Sequence, residues 1–450
     1  MFFQKVCHTD LPPPAASSKP LRIAVVGCGP AGIITIIALM RRLHRPFHAW
    51  MIDAAESPGA FGEGASGEAR MNSPAGELSA LADRPRDFAL WLGSNMFATA
   101  AAAAIPGLEH IYAQRSLYRD YLMSRFAETL SDRPDVTLCV ARHTVSTVAP
   151  GDGGFRLAFE DGECLDSDLV FLAAGSGLSN PEPAGWQGVE EWLAGRSGSG
   201  EPLLLAGDGP RMVAALLHLR SGGFGGPISV LSPKGLLPQP HARIPAAPAV
   251  PSMPEEASLR GIVRSLRRDC CSTMDAGGNW QSVMDGLALR IPALWKELSR
   301  QDRLRYRRHL EPYYRNHAVR IAPDLHRRLV LEFRSAATTL MRATLVSLVE
   351  GGAIVRLPTG ETASLKGHVM DCREDTVSAT EDLLVPFGCE GLSLDDQARV
   401  LKCGKIVPGL YVTGRAASAL RPDLHSMTEI VRQIYRAVTG IGIRAEARQG

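Results

Sequence analysis

Three glycines at a fixed spacing carry the strongest chemical signal in the chain. They lie in Gly27-Cys28-Gly29-Pro30-Ala31-Gly32. In such a loop the first glycine permits a tight turn, and the second lets the backbone approach a pyrophosphate. The third lets the following helix pack closely on the preceding strand. A helix starting there offers free N–H groups and a positive dipole end to phosphate. The spacing alone is common, but its context here is specific. It follows the apolar, β-branched run Leu21 to Val26, opens the helical run Ile33 to Leu43, and precedes an acid, Asp53, by 21 residues counted from Gly32. A carboxylate at the end of the second strand, His48 to Asp53, accepts ribose hydroxyls. Glu56, on the following turn, competes for that role. The chemistry to expect is dinucleotide binding.

A second strand, loop and helix starts at Pro202 to Ala206, turns through Gly207-Asp208-Gly209 and continues from Met212 to Arg220, with a strand at Pro227 to Leu231. Gly207 and Gly209 repeat the first two glycines, but Gly207-Asp208-Gly209-Pro210-Arg211-Met212 has no third. Asp208 would sit close to a pyrophosphate. The strand ends at Ser232 rather than at an acid, with Lys234 nearby. A neutral residue and a cation tolerate a 2′-phosphate, which favours NADPH over NADH. Other reactive residues form weaker patterns. Cys270-Cys271 is vicinal rather than a CxxC pair, which speaks against a disulfide reductase. His241, His309 and His317 could bind substrate or move protons, although histidines at such positions more often serve a surface or a helix end. No His, Asp or Glu spacing suggests a metal, and no GxSxG elbow suggests a hydrolase.

The elements that must position these loops follow from the rest of the sequence. At 450 residues the chain is long enough for two or three domains of about 150 residues each. A composition 45% hydrophobic and 21% charged is that of an ordinary globular protein. A formal net charge of +2 gives no electrostatic ground for nucleic-acid binding. Nine scattered cysteines suit reduced thiols in a cytoplasm better than a disulfide framework. The apolar stretch Ile23 to Met40 contains Gly27, Gly29, Pro30 and Gly32, so a buried strand, a turn and a buried helix explain it better than a membrane span. Residues 1–19 read as a flexible tail without signal-peptide features. Val136 to Ala173 reads as a meander of three short strands, Arg196 to Gly200 as a linker, and Leu340 to Cys372 as a second meander. Residues 256–334 are helical and basic, with 15 arginines and one lysine against nine acids. The chain ends in a strand, Gly409 to Thr413, and a helix, Asp423 to Val438.

The proline in the first loop makes it resemble the FAD-binding loop of two-nucleotide flavoproteins. Asp168-Leu-Val-Phe-Leu-Ala-Ala-Gly175 looks like their second signature. Gly414, after Gly409-Leu-Tyr-Val-Thr413, looks like the third. Asn72-Ser-Pro-Ala-Gly-Glu-Leu-Ser79 followed by Asp87-Phe-Ala-Leu-Trp-Leu92 is similar to a segment of bacterial FAD/NAD(P)-binding oxidoreductases, distant relatives of the ornithine and lysine N-hydroxylating flavin monooxygenases. Arg115-Ser-Leu-Tyr118, Gly235-Leu-Leu-Pro238 with His241, Trp280 to Asp285, Pro292 to Trp295, and Arg308 to Pro312 with Arg320 to Pro323 extend the resemblance over nearly all of the chain after residue 20. Two further stretches, Asp371-Cys372-Arg373-Glu374 and His317-Ala-Val-Arg320, depart from it.

The resemblance implies an α/β protein with two Rossmann-like, doubly wound nucleotide-binding domains of the glutathione-reductase type and a helical insert. The expected boundaries are 20–198 and 373–446 for the FAD domain and 199–372 for an NAD(P)-binding-like domain, with the insert at 252–335. FAD would be held by Gly27, Cys28, Gly29, Pro30, Ala31, Gly32, Asp53, Asn72, Gly175 and Gly414. NADPH or NADH would be held by Gly207, Gly209 and Lys234. Arg308, His309 and Arg320 are expected on the substrate side, with a small molecule as the partner. The implied activity is monooxygenation, with a reductase or a flavoprotein whose nicotinamide site has decayed as alternatives.

Overall fold

The computed structural model describes residues 20–54, 70–96, 107–175, 192–193, 200–242, 246–254, 258–373, 383–388, 392–417, 424 and 426–446. The tail 1–19, Glu56 and the linker before Gly200 lie outside them. Contacts divide the chain into two compact units. One comprises residues 1–61, 74–180 and 375–450, the other residues 62–73 and 181–374.

In the first unit β1 (Leu21–Val26), α1 (Pro30–Arg42) and β2 (Phe47–Ile52) come first. Helices α2 (Asp87–Met96) and α3 (Arg115–Ser131) and strand β3 (Val136–Ala141) follow. Then come β4 (Val145–Gly151), β5 (Gly154–Phe159), β6 (Cys164–Ser167) and β7 (Leu169–Leu172). The second unit holds β8 (Leu203–Ala206), α4 (Pro210–Ser221) and β9 (Ile228–Ser232). Its insert is built from α5 (Leu259–Asp275), α6 (Trp280–Glu297), α7 (Arg300–Arg305), a π-helical turn at Tyr306–Leu310, α8 (Glu311–Ala318) and α9 (Pro323–Arg334). Strands β10 (Thr338–Arg342), β11 (Thr344–Val349), β12 (Gly352–Arg356), β13 (Thr362–Lys366) and β14 (His368–Asp371) complete it. The chain then supplies β15 (Leu392–Leu394), β16 (Arg399–Lys402), β17 (Lys405–Val412) and α10 (Met427–Glu446) to the first unit.

The first unit's main sheet runs β15-β16-β17-β7-β1-β2-β3, and β17, β7, β1, β2 and β3 are mutually parallel. The second unit's sheet runs β10-β9-β8-β14, parallel throughout. Each unit therefore repeats one plan: strand, helix, strand, a third strand, a three-stranded antiparallel meander, and a return strand beside the first. The central strands read as continuous apolar runs because both of their faces are covered. Ile23 to Val26 are fully buried, as is α1 from Gly32 to Met40 apart from a trace at Met40. No helix among the described residues is long and apolar enough to cross a membrane.

Three sequence expectations change. Val136–Ala141 is not part of the first meander but the edge of the parallel sheet, paired with β2. As an edge strand it is only partly covered, with Thr137 exposed and Cys139 and Ala141 half-buried, and the resulting partial alternation looks like a meander strand. The meander itself is β4-β5-β6, and Leu169–Leu172 lies beside β1. Likewise Leu340 falls in β10, which pairs with β9, so the second meander is β11-β12-β13 alone. The last helix is described from Met427 and runs on to Glu446. It packs on α1 and passes the expected end at Val438.

Arg220, in the last turn of α4, ties the second unit together. Its Nε lies 2.6 Å from Glu332 of α9, and its terminal nitrogens donate to the carbonyls of Phe224, Gly226 and Ala337 and to Thr338 Oγ1. Arg220→Ala is expected to destabilise this unit by about 3 kcal/mol, because it strands a mostly buried carboxylate and several carbonyls. Chemical denaturation of wild type and variant measures this, and a loss below about 1 kcal/mol would assign the pair the modest weight of a surface bridge.

Candidate nucleotide-binding site

The first loop is built by contacts that side chains would prevent. Gly27 has φ +104, and its N–H donates to Ile52 O at 2.7 Å, fastening the turn to the end of β2. A Cβ on Gly27 would lie 2.5 Å from Ala173 O, next to β7. A Cβ on Gly32 would lie 1.9 Å from Gly27 O, so only glycine lets α1 start this close to the strand it follows. Gly29 is different. It is the N-cap of α1, and an added Cβ there would meet nothing within 4 Å. No side chain caps this helix end and no acid stands in its first turn. Pro30 has no N–H, and the first i→i−4 bond runs from Ile33 N to Gly29 O. The amides of Ala31 and Gly32 therefore precede the helical ladder.

Asp53 sits half-buried at the end of β2, where its Oδ2 accepts the Cys28 N–H at 2.6 Å. The strand-end acid is thus fixed by the glycine loop itself. Burial and this carboxylate push the Cys28 thiol up, so it stays a protonated, inert packing group. Gly175 (φ +65) follows β7, with open space where its Cβ would be. Gly414 (φ +71) follows β17 and packs against Ala31, whose Cβ would lie 2.5 Å from a Cβ on Gly414. Its N–H donates to Gln433 Oε1 at 3.1 Å, while Gln433 Nε2 donates to Val412 O. Gln433, absent from the sequence reading, holds this loop. The three signature segments therefore converge on the start of α1. A bare helix end, an open Gly29 and an anchored strand-end acid fit the pyrophosphate and ribose of FAD.

The second loop copies the first in outline. Gly207 has φ +144, donates to Leu231 O at 3.0 Å, and would place a Cβ 2.7 Å from Cys372 O. Gly209 is the N-cap of α4, and Pro210 follows it. The equivalent of Gly32 is Met212, fully buried, so α4 must stand further off its loop than α1 does. The acid has also moved. Ser232 takes the position of Asp53, and Asp208 takes that of Cys28. The Ser232 hydroxyl accepts Leu236 N–H at 3.0 Å and lies 3.4 Å from Asp208 Oδ2. Arg315 of α8 approaches Asp208 Oδ1 at 3.4 Å, offsetting the charge that would repel a pyrophosphate. Lys234 is half-buried in the following turn. Arg342 is in register with Ser232, and its stem lies 3.8 Å from where a Gly235 Cβ would be. Arg342 was not singled out from the sequence; only strand pairing brings it here.

The remaining expected residues are scattered. Asn72 falls in the second unit, where its carbonyl accepts His241 Nε2 at 2.6 Å. Because a carbonyl can only accept, Nε2 carries the proton. Burial and the charge of Arg320 push His241 down to about 4, so it is a neutral donor rather than a proton carrier. Arg320 is 5% exposed. Its terminal nitrogens engage Asp285, its Nε donates to His317 O, and it stacks on Trp280. Arg320, expected on the substrate side, thus joins α6 to the chain after α8. Arg308 and His309 are exposed on the π-helical turn.

Unfolded His241 titrates near its ordinary 6.5, whereas the folded group stays neutral down to about 4. Between these values the unfolded chain binds more protons, so stability falls as pH falls. His241→Gln is expected to flatten that slope between pH 6.5 and 4 in denaturation experiments; unchanged slopes would show that His241 is not held neutral.

Comparison with known proteins follows the geometry. Residues 24–177 match the sequence family described as FAD-NAD(P)-binding. No curated protein matches the chain in sequence. The ornithine N-hydroxylase of Kutzneria sp. 744 shares 12% identity over 95% of this chain and 100% of its own, with a TM-score of 0.62. The reduced ornithine hydroxylase of Pseudomonas aeruginosa has the same identity and coverage and a TM-score of 0.60. The L-lysine 6-monooxygenase of Pseudomonas syringae shares 16% identity over 94% of this chain and 99% of its own, with a TM-score of 0.58. At these identities the likeness carries the fold, an α/β architecture with two dinucleotide-binding domains.

Proposed function

We propose, from the match of residues 24–177 to the FAD-NAD(P)-binding family, that the chain is an FAD-dependent, NAD(P)H-using oxidoreductase of the monooxygenase type. Its substrate would be a small amine, and the enzyme would work in the cytoplasm with its cysteines reduced. The observation that carries the reading is the first loop: a helix N-terminus without cap or acid, reached past an open Gly29, beside an acid fixed to the loop. FAD supplies hydride acceptance and electron delivery when bound there. The chain's own residues bind and orient. The start of α1 takes the pyrophosphate, Asp53 takes the ribose, and the backbone at Gly175 and Gly414 lines the approach.

Three observations support the finer reading. Lys234 and Arg342 at the ends of β9 and β10, with Ser232 in place of an acid, favour NADPH. Among the described residues no disulfide joins two cysteines. Burial and the neighbouring Cys271 raise the Cys270 thiol, which disfavours thiol exchange. The fold is also shared with ornithine and lysine hydroxylating enzymes. Arg308 and His309, exposed on the insert, are proposed to meet the substrate. The domain boundaries drawn from the sequence, at 198–199 and 372–373, stand as part of the same proposal.

Gly29→Val is expected to fold like the wild type, since a Cβ there has no described atom within 4 Å and the backbone is extended rather than left-handed. It should bind FAD roughly 100-fold more weakly, the loss of about two hydrogen bonds to charged oxygens. Thermal unfolding together with flavin titration checks both halves; unchanged FAD affinity would move the flavin away from this loop. For the wild type, NADPH oxidation should outpace NADH oxidation, and isotope from labelled O₂ should enter the product. NADPH oxidation without incorporation would make the protein a reductase.

A further inference from the structure

A cavity of about 570 Å³ opens on the first unit between α10, the end of α1 and two turns, lined in part by Arg42, Arg432, Tyr435, Arg436 and Gln397. Its floor is one face of α10. Arg432 and Arg436 are one turn apart there and both exposed, with Tyr435 between them. Arg42, in the last turn of α1, lies over the Tyr435 ring at 5.7 Å. The Tyr435 hydroxyl is buried, and burial raises its pKa. The absence of a side chain at Gly440 shapes the far wall: the Gln397 amide lies where a Cβ would be, 2.7 Å from it, and so rests across the helix.

The charges around this cavity do not balance locally. Arg42, Arg432 and Arg436 form no ion pair among the described residues. Of the two acids on the wall, Asp83 is already held by Arg41 at 2.8 Å, and Asp396 also has a partner. Three guanidinium groups facing one concavity repel each other unless an anion joins them. Guanidinium forks match carboxylate and phosphate oxygens in pairs. The volume exceeds that of a bare inorganic ion and lies within the range of pockets that take small organic molecules.

Location separates this cavity from the nucleotide loops. Dinucleotides bind at the carboxyl ends of parallel strands. Arg42 closes the opposite end of α1, about 20 Å from the glycine loop along a helix of 13 residues rising ~1.5 Å each. We infer that this cavity is a second ligand site, which takes a small organic polyanion, a di- or tricarboxylate or a phosphate ester, through Arg42, Arg432 and Arg436.

The test titrates citrate and inorganic pyrophosphate into the purified chain by calorimetry, in the wild type and in the double variant Arg432→Ala with Arg436→Ala. At least one anion is expected to bind once per chain, and the double variant should weaken that binding by about tenfold or more. Arg42→Ala, on the other wall, should weaken it independently. Both variants change exposed side chains, so circular dichroism, thermal midpoint and flavin content should match the wild type. Binding of citrate alone identifies carboxylates as the recognised group, and binding of pyrophosphate alone identifies phosphate. Two results overturn the inference: neither anion binds in the millimolar range, or binding persists unchanged in both variants, as it would if the anion sat on a glycine loop.

Discussion

The first unit is organised by a contact that exists only because one residue has no side chain. Gly32 lies so close to the carbonyl of Gly27 that a Cβ would stand 1.9 Å from it. That closeness sets the start of α1 against the end of β1, while the Gly27 amide holds the turn to β2. From it follow the direction of the helix N-terminus, the reach of Cys28 N–H to Asp53, and the packing of Gly414 on Ala31. The polar site is thus a consequence of a steric one. Behind it, α1 is buried from Gly32 to Met40, with Thr35 its one polar side chain there turned back onto Ala31 O, and it packs against the sheet, α3 and α10.

The second unit shows what happens when the same plan loses that contact. Its loop keeps the left-handed Gly207 and its bond to the strand end, but Met212 replaces the third glycine and the carboxylate moves from the strand into the loop. Asp208 then needs a counter-charge, and Arg315 of the insert provides one. The insert also grips the chain after β9. Gln281 bonds both Pro240 O and Ala242 N, Asn316 donates to Leu237 O, and Ile321 pairs with the backbone at Gln239 and His241. The basic helical segment therefore braces the chain after β9 at several positions and touches the second loop through Arg315.

Local chemistry was legible in the sequence wherever neighbours along the chain decide it. The strand, glycine turn and helix at residues 21–42, the acid at Asp53 and the second loop are all of that kind. The reading failed where distant partners decide. Strands β3 and β10 were grouped with the meanders because an edge strand shows the same partial alternation, and only pairing with β2 and β9 separates them. Arg320 carries no sign of its partner in the sequence because its acid, Asp285, lies 35 residues away on α6. Arg342 was invisible because its relation to Ser232 is a strand register. The arginine-lined cavity draws on four separate stretches of chain, and none of them carries a motif.

The central claim is that the loop at Gly27–Gly32 holds FAD. The most direct measurement is the absorbance spectrum and chromatographic identity of whatever the purified protein releases on denaturation. The account requires a yellow protein releasing FAD at close to one per chain, with apoprotein that regains the colour when FAD is returned. A colourless protein that cannot be reconstituted with FAD would contradict it.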